Sequence, residues 1–186
     1  MKRVIFFLIL VVGLSLPVRG QSALTVYTNH GNFTIELYDS LQPIPAGNFK
    51  ALADSQYYDG VIFHRIISGF VVQGGDPTGT GTGGPGYTIP DEFSPLLSNV
   101  TKTLSMANSG PNTGGSQFFI NLVDNDFLNF SSETPQGWGY AVFGKVIEGM
   151  EVVDAIAAIP TGRYRGMDDV PKEQVVIESA EIIPAA

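Results

Sequence analysis

FHRIISGFVVQGGD, residues 63–76, is the stretch that decides the fold. The apolar runs at residues 61–63 and 70–72 are β-branched and aromatic, which favours strands, and the Ser-Gly pair between them predicts a turn. Arg65 lies among these apolar neighbours, where a permanent cation is costly to bury without a partner. The pattern indicates either a shallow apolar site with one strong hydrogen-bond donor or an arginine whose head group reaches water from a strand edge.

Outside this stretch, short apolar runs alternate with turn residues, which is typical of a β-rich protein. A helical period of apolar residues occurs twice, at residues 43–54 and 150–157. The other predicted strands are residues 24–29, 33–38, 103–107, 117–120, 140–147 and 174–183. We expect one mainly β domain, residues 21–186, built as a closed eight-stranded antiparallel β-barrel capped by two α-helices.

The composition excludes several classes of function. A net charge of -8 makes nucleic acid a poor partner, because no basic patch is available to neutralise phosphates. The absence of cysteine removes disulfides, thiol nucleophiles and cysteine metal sites. The two histidines, His30 and His64, are accompanied by no G-x-S-x-G motif and no patterned carboxylate cluster, so neither a serine triad nor a metal site is predicted.

A glycine-rich segment follows the central stretch at residues 74–86. It satisfies the G-x-G-x-x-G spacing of dinucleotide sites, but no helix is predicted after it and Pro85 follows at once. We therefore expect a surface loop that flanks a binding groove. Residues 124–128 are too short for regular structure of their own, and we expect Phe127 and Leu128 to close over an apolar surface.

The first twenty residues have the pattern of a secretory signal peptide. Lys2 and Arg3 precede an apolar run at residues 4–16, and the small or modest residues Val18-Arg19-Gly20 follow where cleavage after Gly20 would need them. Cleavage removes three basic residues and no acidic one, so the net charge falls from -8 to -11. An uncleaved membrane anchor is the alternative, although the run is shorter than the roughly 20 residues of a full span.

Three blocks of the sequence resemble the motifs of cyclophilins, the peptidyl-prolyl cis-trans isomerases. They are residues 63–76, residues 104–120 (LSMANSGPNTGGSQFFI) and residues 142–146 (VFGKV) followed by Gly149-Met150. The resemblance covers residues 24–183. It implies an eight-stranded antiparallel barrel with two helices, and an enzyme that rotates X-Pro peptide bonds without a cofactor.

The resemblance also implies roles for particular residues. Arg65 corresponds to the catalytic arginine. The residues that correspond to the proline-ring pocket are Phe70, Val71, Phe119 and Leu128. The residues that correspond to the groove around the peptide backbone are Gln73, Ala107, Asn108, Ser109 and Gln117.

Three positions differ from many eukaryotic cyclophilins. Val71 replaces a common methionine, Phe127 replaces a tryptophan and Tyr140 replaces a histidine, and the last two changes are typical of bacterial members. The lost indole N–H predicts weak cyclosporin binding at most.

We expect the partners to be proline-containing peptides and unfolded or partly folded exported proteins. The compartment is expected to be the periplasm, with a secreted protein as the alternative, and the protein is expected to be a monomer. A non-enzymatic proline-peptide-binding module or holdase chaperone on the same scaffold is the alternative function. An intact set of Arg65, Phe70, Gln73 and Phe119 favours the enzyme.

Overall fold

Eight strands form one antiparallel sheet that curls around the core. The computed structural model describes residues 21–183, so the predicted signal peptide lies outside the described residues. In chain order the strands are β1 (Ala23–Thr28), β2 (Gly31–Leu37), β3 (Arg65–Ile67), β4 (Val71–Gly74), β5 (Thr103–Met106), β6 (Phe118–Asn121), β7 (Val142–Glu148), β8 (Thr161–Tyr164), β9 (Met167–Pro171) and β10 (Ile177–Ile183). Along the sheet the strands lie in the order β10-β1-β2-β7-β5-β6-β4-β3. The prediction of a mainly β protein with an eight-stranded antiparallel sheet is confirmed.

The sheet is curled but is not a closed ladder, because β3 and β10 are its two edges. The predicted strand at residues 61–63 is wrong: Ile62 forms only isolated bridges, to Asp76 and Val176, and β3 starts at Arg65. The amide of Phe63 donates to the carbonyl of Val175 at 3.0 Å, and so joins the segment before β3 to the segment before β10. Contacts of this kind bring the two ends of the sheet together without a ladder, so the sheet is a curled half-barrel and the expected closed barrel was an overstatement.

Both predicted helices are present, as α1 (Pro43–Asp54) and α2 (Met150–Ala157). Proline at the start of α1 costs no hydrogen bond, because the first N–H groups of a helix have no partner inside it. Phe49 of α1 is buried, and its ring lies 5.1 Å from Phe118 and 5.3 Å from Phe143. Burying such a ring contributes about 1.5–3 kcal/mol, so α1 is held by its apolar face against the sheet.

Two features of the fold were not expected from the sequence. Strands β8 and β9 pair as a separate hairpin that packs against β3. A short 3-10 helix, Asp126–Leu128, is present in a segment predicted to be irregular. None of the helices within residues 21–183 is long and apolar enough to cross a membrane.

Candidate active site

Strands β3, β4 and β6 place three of the predicted site residues side by side. Arg65 lies opposite Gln73 in the β3–β4 pair, and Gln73 lies opposite Phe119 in the β4–β6 pair. Residues directly opposite each other in an antiparallel sheet project from the same face. The sheet register therefore brings a cation, an amide and an aromatic ring together on one surface.

A series of hydrogen bonds leads away from the arginine. Nη1 of Arg65 donates to Oε1 of Gln73 at 3.3 Å, and Nε2 of Gln73 donates to Oε1 of Gln117 at 3.1 Å. Nε2 of Gln117 then donates to the carbonyl of Gly83 at 2.9 Å, while the amide of Gly83 donates to Oδ2 of Asp76 at 3.0 Å. This Arg65–Asp76 hydrogen-bond series starts at a cation and ends at a buried carboxylate, so each dipole is oriented favourably.

Asp76 organises the glycine-rich loop. It is fully buried, and it accepts hydrogen bonds from the amides of Thr78, Thr80 and Gly83 and from the hydroxyl of Thr78. Burial works to raise the pKa of Asp76, but the hydrogen bonds from Thr78, Gly83 and Gly81 outweigh it and lower the pKa to about 2. A Cβ on Gly83 would overlap the Asp76 carboxylate, so only glycine fits that position.

Arg65 keeps donors available for a ligand. Its side chain is partly exposed, and its Nε lies 3.8 Å from Oδ2 of Asp169 on β9. A guanidinium has five N–H groups. Among residues 21–183, only the hydrogen bond to Gln73 and the longer ion pair to Asp169 occupy the head group.

His64, the neighbour of Arg65 in the chain, is buried, whereas the Arg65 side chain is partly exposed. Its two ring nitrogens have no hydrogen-bond partner among the described residues. Burial lowers the pKa of His64, the nearby Asp76 charge opposes this and the Arg65 charge adds to it. A buried, neutral imidazole leaves Arg65 as the cation of this surface.

The predicted proline-ring residues form an apolar patch beside the arginine. Phe119 is 5% exposed, and its ring packs edge-on against the Tyr140 ring with 5.3 Å between the ring centres. The Phe70 and Phe127 rings are stacked at 5.8 Å, and Phe127 is 73% exposed. The predicted residues Val71 and Leu128 are buried and half-buried respectively.

The predicted backbone-binding residues lie around a neighbouring groove of about 460 Å³. Within it, the amide of Ala107 donates to the carbonyl of Gln117 at 3.0 Å. The side chain of Asn108 donates to the carbonyl of Gly139 at 2.9 Å, which fixes the position of Asn108 at the groove. The predicted residues that line this groove are Gln73, Ala107, Asn108, Ser109 and Gln117.

Comparison with known proteins gives the family of this arrangement. A family model described as cyclophilin type peptidyl-prolyl cis-trans isomerase/CLD matches residues 23–182. The chain belongs to the cyclophilin family. Similar sequences include peptidyl-prolyl cis-trans isomerase B of Escherichia coli K12, which is 45% identical to this chain. The match covers 85% of this chain and 98% of the E. coli protein. Peptidyl-prolyl cis-trans isomerase cyp18 of Streptomyces antibioticus is 47% identical over 88% of this chain and 99% of its own.

Solved cyclophilin structures agree with the fold. A cyclophilin type isomerase of Cryptosporidium parvum superimposes with a TM-score of 0.79 at 36% identity, covering 89% of this chain and 99% of its own. A second structure of that cyclophilin, determined in the presence of the dipeptide Ala-Pro, gives a TM-score of 0.78 at 37% identity, with 88% and 99% coverage.

Sequence reasoning missed two residues that contact the candidate site, Asp76 and Asp169. Asp76 ends the central motif and is followed by a threonine two residues later, which is the pattern of an aspartate that binds its own following backbone. That signal was present in the sequence. Asp169 has a positive φ of 61° and approaches Arg65 only through the β8–β9 hairpin, so no local pattern identified it. Within residues 21–183, no group of three or more histidine, aspartate or glutamate side chains is placed to hold a metal ion.

Proposed function

We propose that this cyclophilin catalyses peptidyl-prolyl cis-trans isomerisation with Arg65 as the catalytic residue. The observation that carries the proposal is a partly exposed guanidinium with free donors, held at the border of an apolar patch by the hydrogen bond to Gln73. The family and its isomerase relatives support the activity. The role of Arg65 is supported by the placement of its side chain.

The chemical task is rotation about a bond with partial double-bond character. Amide resonance gives a barrier of roughly 18–20 kcal/mol, and exchange of X-Pro isomers takes tens of seconds or more. In the twisted state the prolyl nitrogen regains its lone pair. A guanidinium directed at that nitrogen binds the twisted state better than either planar isomer, and this difference in binding accelerates rotation.

The surrounding residues hold the two sides of the bond differently. Phe119 and its apolar neighbours bury the proline ring, so that side of the bond stays in place. Gln73 and Gln117 present amides beside the groove, where the preceding peptide binds while the bond rotates. Each tenfold gain in rate requires about 1.4 kcal/mol, which a few hydrogen bonds made in the twisted state supply.

We also propose that the protein acts on unfolded or partly folded exported proteins in the periplasm. The signal-peptide pattern of residues 1–20 supports export. Phe127 has no indole N–H to donate, which supports weak cyclosporin binding at most. A shallow, partly exposed proline patch favours broad selectivity among proline-containing chains.

The test is isomerisation of an Ala-Pro-Phe peptide by residues 21–186 and by Arg65→Ala, after both are shown to be folded. We expect catalysis by the unmodified protein and a loss of about tenfold or more in Arg65→Ala, which corresponds to about 1.4 kcal/mol. Lys145→Ala, which removes an exposed cation of β7, is the matched control and should retain activity.

Equal activity in Arg65→Ala would contradict the mechanism while leaving the family assignment intact. Inactivity of both proteins would contradict the enzyme and favour the binding-module or holdase alternative. Suppression of client aggregation would then be the property to measure.

A further inference from the structure

A second and larger cavity, of about 1020 Å³, lies between the β8–β9 hairpin and the glycine-rich loop. Ile62 and Phe63 form part of its apolar lining, and Thr78 and Thr80 contribute hydroxyl groups. Its volume exceeds that of the groove beside Gln73. None of the residues assigned to proline or backbone binding lines this cavity.

The charge of this cavity is opposite to that of the protein. Arg163, Arg165 and Lys172 line it, and no aspartate or glutamate is among its lining residues. Residues 21–183 contain 18 acidic side chains and seven lysines and arginines, so three of the seven cations surround one cavity. Because cations attract anions, such a grouping in an otherwise acidic protein favours an anionic ligand.

The three cations are weakly neutralised by the protein itself. Nε of Arg163 lies 3.7 Å from Oδ1 of Asp168, but both side chains are more than 70% exposed, and exposed pairs of this kind are weak. The guanidinium of Arg165 lies 5.2 Å from the centre of the Tyr164 ring, which leaves its charge intact. Lys172 has no ion-pair partner among the described residues.

Residues close to the proposed catalytic arginine in the chain and in the hairpin that packs against β3 line this cavity. Asp169, which pairs with Nε of Arg65 at 3.8 Å, is flanked in β9 by the cavity residue Val170. On the other side, the cavity residue Phe63 precedes Arg65 by two positions. An extended peptide advances about 3.3 Å per residue, so a polypeptide bound at Arg65 reaches this cavity within a few residues of its proline.

We propose that this cavity binds the carboxylate side chains of an acidic segment in the polypeptide whose prolyl bond lies at Arg65. The proposal rests on the proposed isomerase function and adds a preference for substrates with aspartate or glutamate near the proline. Guanidinium groups suit carboxylates, because the planar fork donates two parallel hydrogen bonds. Elsewhere the acidic surface repels such substrates, so the cavity sets the position of the acidic segment.

The first experiment compares Ala-Pro-Phe peptides extended by three glutamates with Ala-Pro-Phe peptides extended by three glutamines. Each extension is placed before the proline in one peptide and after the proline in another. Repulsion by the net negative charge of the protein, taken alone, predicts slower turnover of the glutamate peptide than of the glutamine peptide. We expect instead that kcat/KM is about fivefold higher for the glutamate peptide in one placement, through a lower KM, and that 0.5 M salt removes this difference.

The second protein in this experiment is the triple variant Arg163→Gln, Arg165→Gln, Lys172→Gln. It should lose the preference for glutamate and keep the rate for the glutamine peptide. Lys145→Gln, which removes a cation of β7 outside the cavity, should keep the preference. The proposal is wrong if the glutamate peptide has no advantage in either placement, or if the advantage persists in the triple variant.

A proline-free triglutamate peptide separates this proposal from the isomerase function. Titrated into the ¹⁵N-labelled protein, it should shift the amide resonances of residues 161–172 and 78–80, and the shifts should vanish in the triple variant. Binding without any isomerase activity would refute the proposed function and keep the anion site. Isomerase activity with no such shifts would keep the enzyme and refute the site.

Discussion

The floor and the rim of the proposed proline site are built in different ways. The floor carries Arg65, Gln73 and Phe119 on three paired strands, where backbone ladders fix each residue against the next. The rim carries Phe127 on the short 3-10 helix, where it is 73% exposed and is held by stacking on Phe70. Phe119 on the floor is 5% exposed.

The rigid floor and the exposed rim meet two different requirements of a prolyl isomerase. Stabilising a twisted bond needs donors at fixed positions, which paired strands and the Arg65–Asp76 hydrogen-bond series provide. Accepting many sequences needs an adaptable surface, which an exposed ring on a short helix provides. Changes in the floor should therefore reduce the rate and the stability, and changes in the rim should alter affinity alone.

The largest effect is expected for Phe119→Ala in the floor. Removing a buried ring from a strand that also carries the core should lower the free energy of unfolding by about 3 kcal/mol and abolish most isomerase activity. Urea unfolding and the peptide assay measure the two effects. A loss below 1 kcal/mol would show that the floor is as adaptable as the rim.

A smaller loss is expected for Asp76→Asn at the buried end of the hydrogen-bond series. The neutral amide keeps one acceptor oxygen and loses the charge, so we expect about 2 kcal/mol lower stability and a reduced kcat with little change in KM. Asp59→Asn, at an exposed carboxylate, is the matched control. An unchanged kcat in a less stable Asp76→Asn would limit Asp76 to supporting the loop.

Acid should weaken the buried end of the same hydrogen-bond series. The pKa of Asp76 is lowered from 3.8 to about 2 in the folded protein. Between these values the unfolded chain binds the proton more readily than the fold does, so stability is present above about pH 4 and is lost as the pH falls through about 2. Urea unfolding from pH 5 to pH 2 should show about 2 kcal/mol from this group, absent in Asp76→Asn. Equal pH dependence in both proteins would assign the acid sensitivity to other groups.

The smallest effect on stability is expected for Phe127→Ala in the rim. An exposed ring contributes little to folding, so the free energy of unfolding should change by less than about 0.5 kcal/mol. The peptide KM should rise by a few-fold with kcat retained, because only the stacking surface beside Phe70 is lost. A drop in kcat as large as that in Asp76→Asn would remove the distinction between floor and rim.

The strong local patterns of the sequence predicted their elements well. Residues 43–54 and 150–157 are helical as expected, because in each an apolar face with helical spacing packs against the sheet. The predicted hairpin appears as β1 and β2. Where periodicity and turn residues agree, local propensity and tertiary packing require the same structure.

Weak local patterns led to two kinds of error: one predicted strand is absent, and two strands that were not predicted are present. Residues 61–63 are apolar and β-branched, yet they pair one residue at a time, because their partners lie on two different segments. Residues 161–171 are mostly polar and have no clear strand alternation, yet they form β8 and β9, because the two strands pair with each other and β9 packs against β3. In both cases the partner elsewhere in the chain decided the structure.

The candidate site was predictable through resemblance but not from residue chemistry alone. Arg65 was conspicuous as a cation among apolar residues, although its pattern fitted a surface arginine equally well. Asp76 and Gly83 support it from a loop that composition described only as glycine-rich. The Gln117–Gly83 and Gln73–Gln117 hydrogen bonds join residues that are 34 and 44 positions apart, so no local pattern of the sequence predicts them.

The most direct measurement is the rate of cis–trans exchange of an Ala-Pro-Phe peptide bound to saturating protein, followed by NMR for the unmodified protein and Arg65→Lys. Lysine keeps the positive charge but lacks the planar fork that reaches Gln73 and the prolyl nitrogen together. We predict that bound exchange slows by about tenfold or more, with the peptide Kd changed by less than about threefold. Exchange within about twofold of the unmodified protein would show that charge alone suffices and that the strand-built fork is not the source of catalysis.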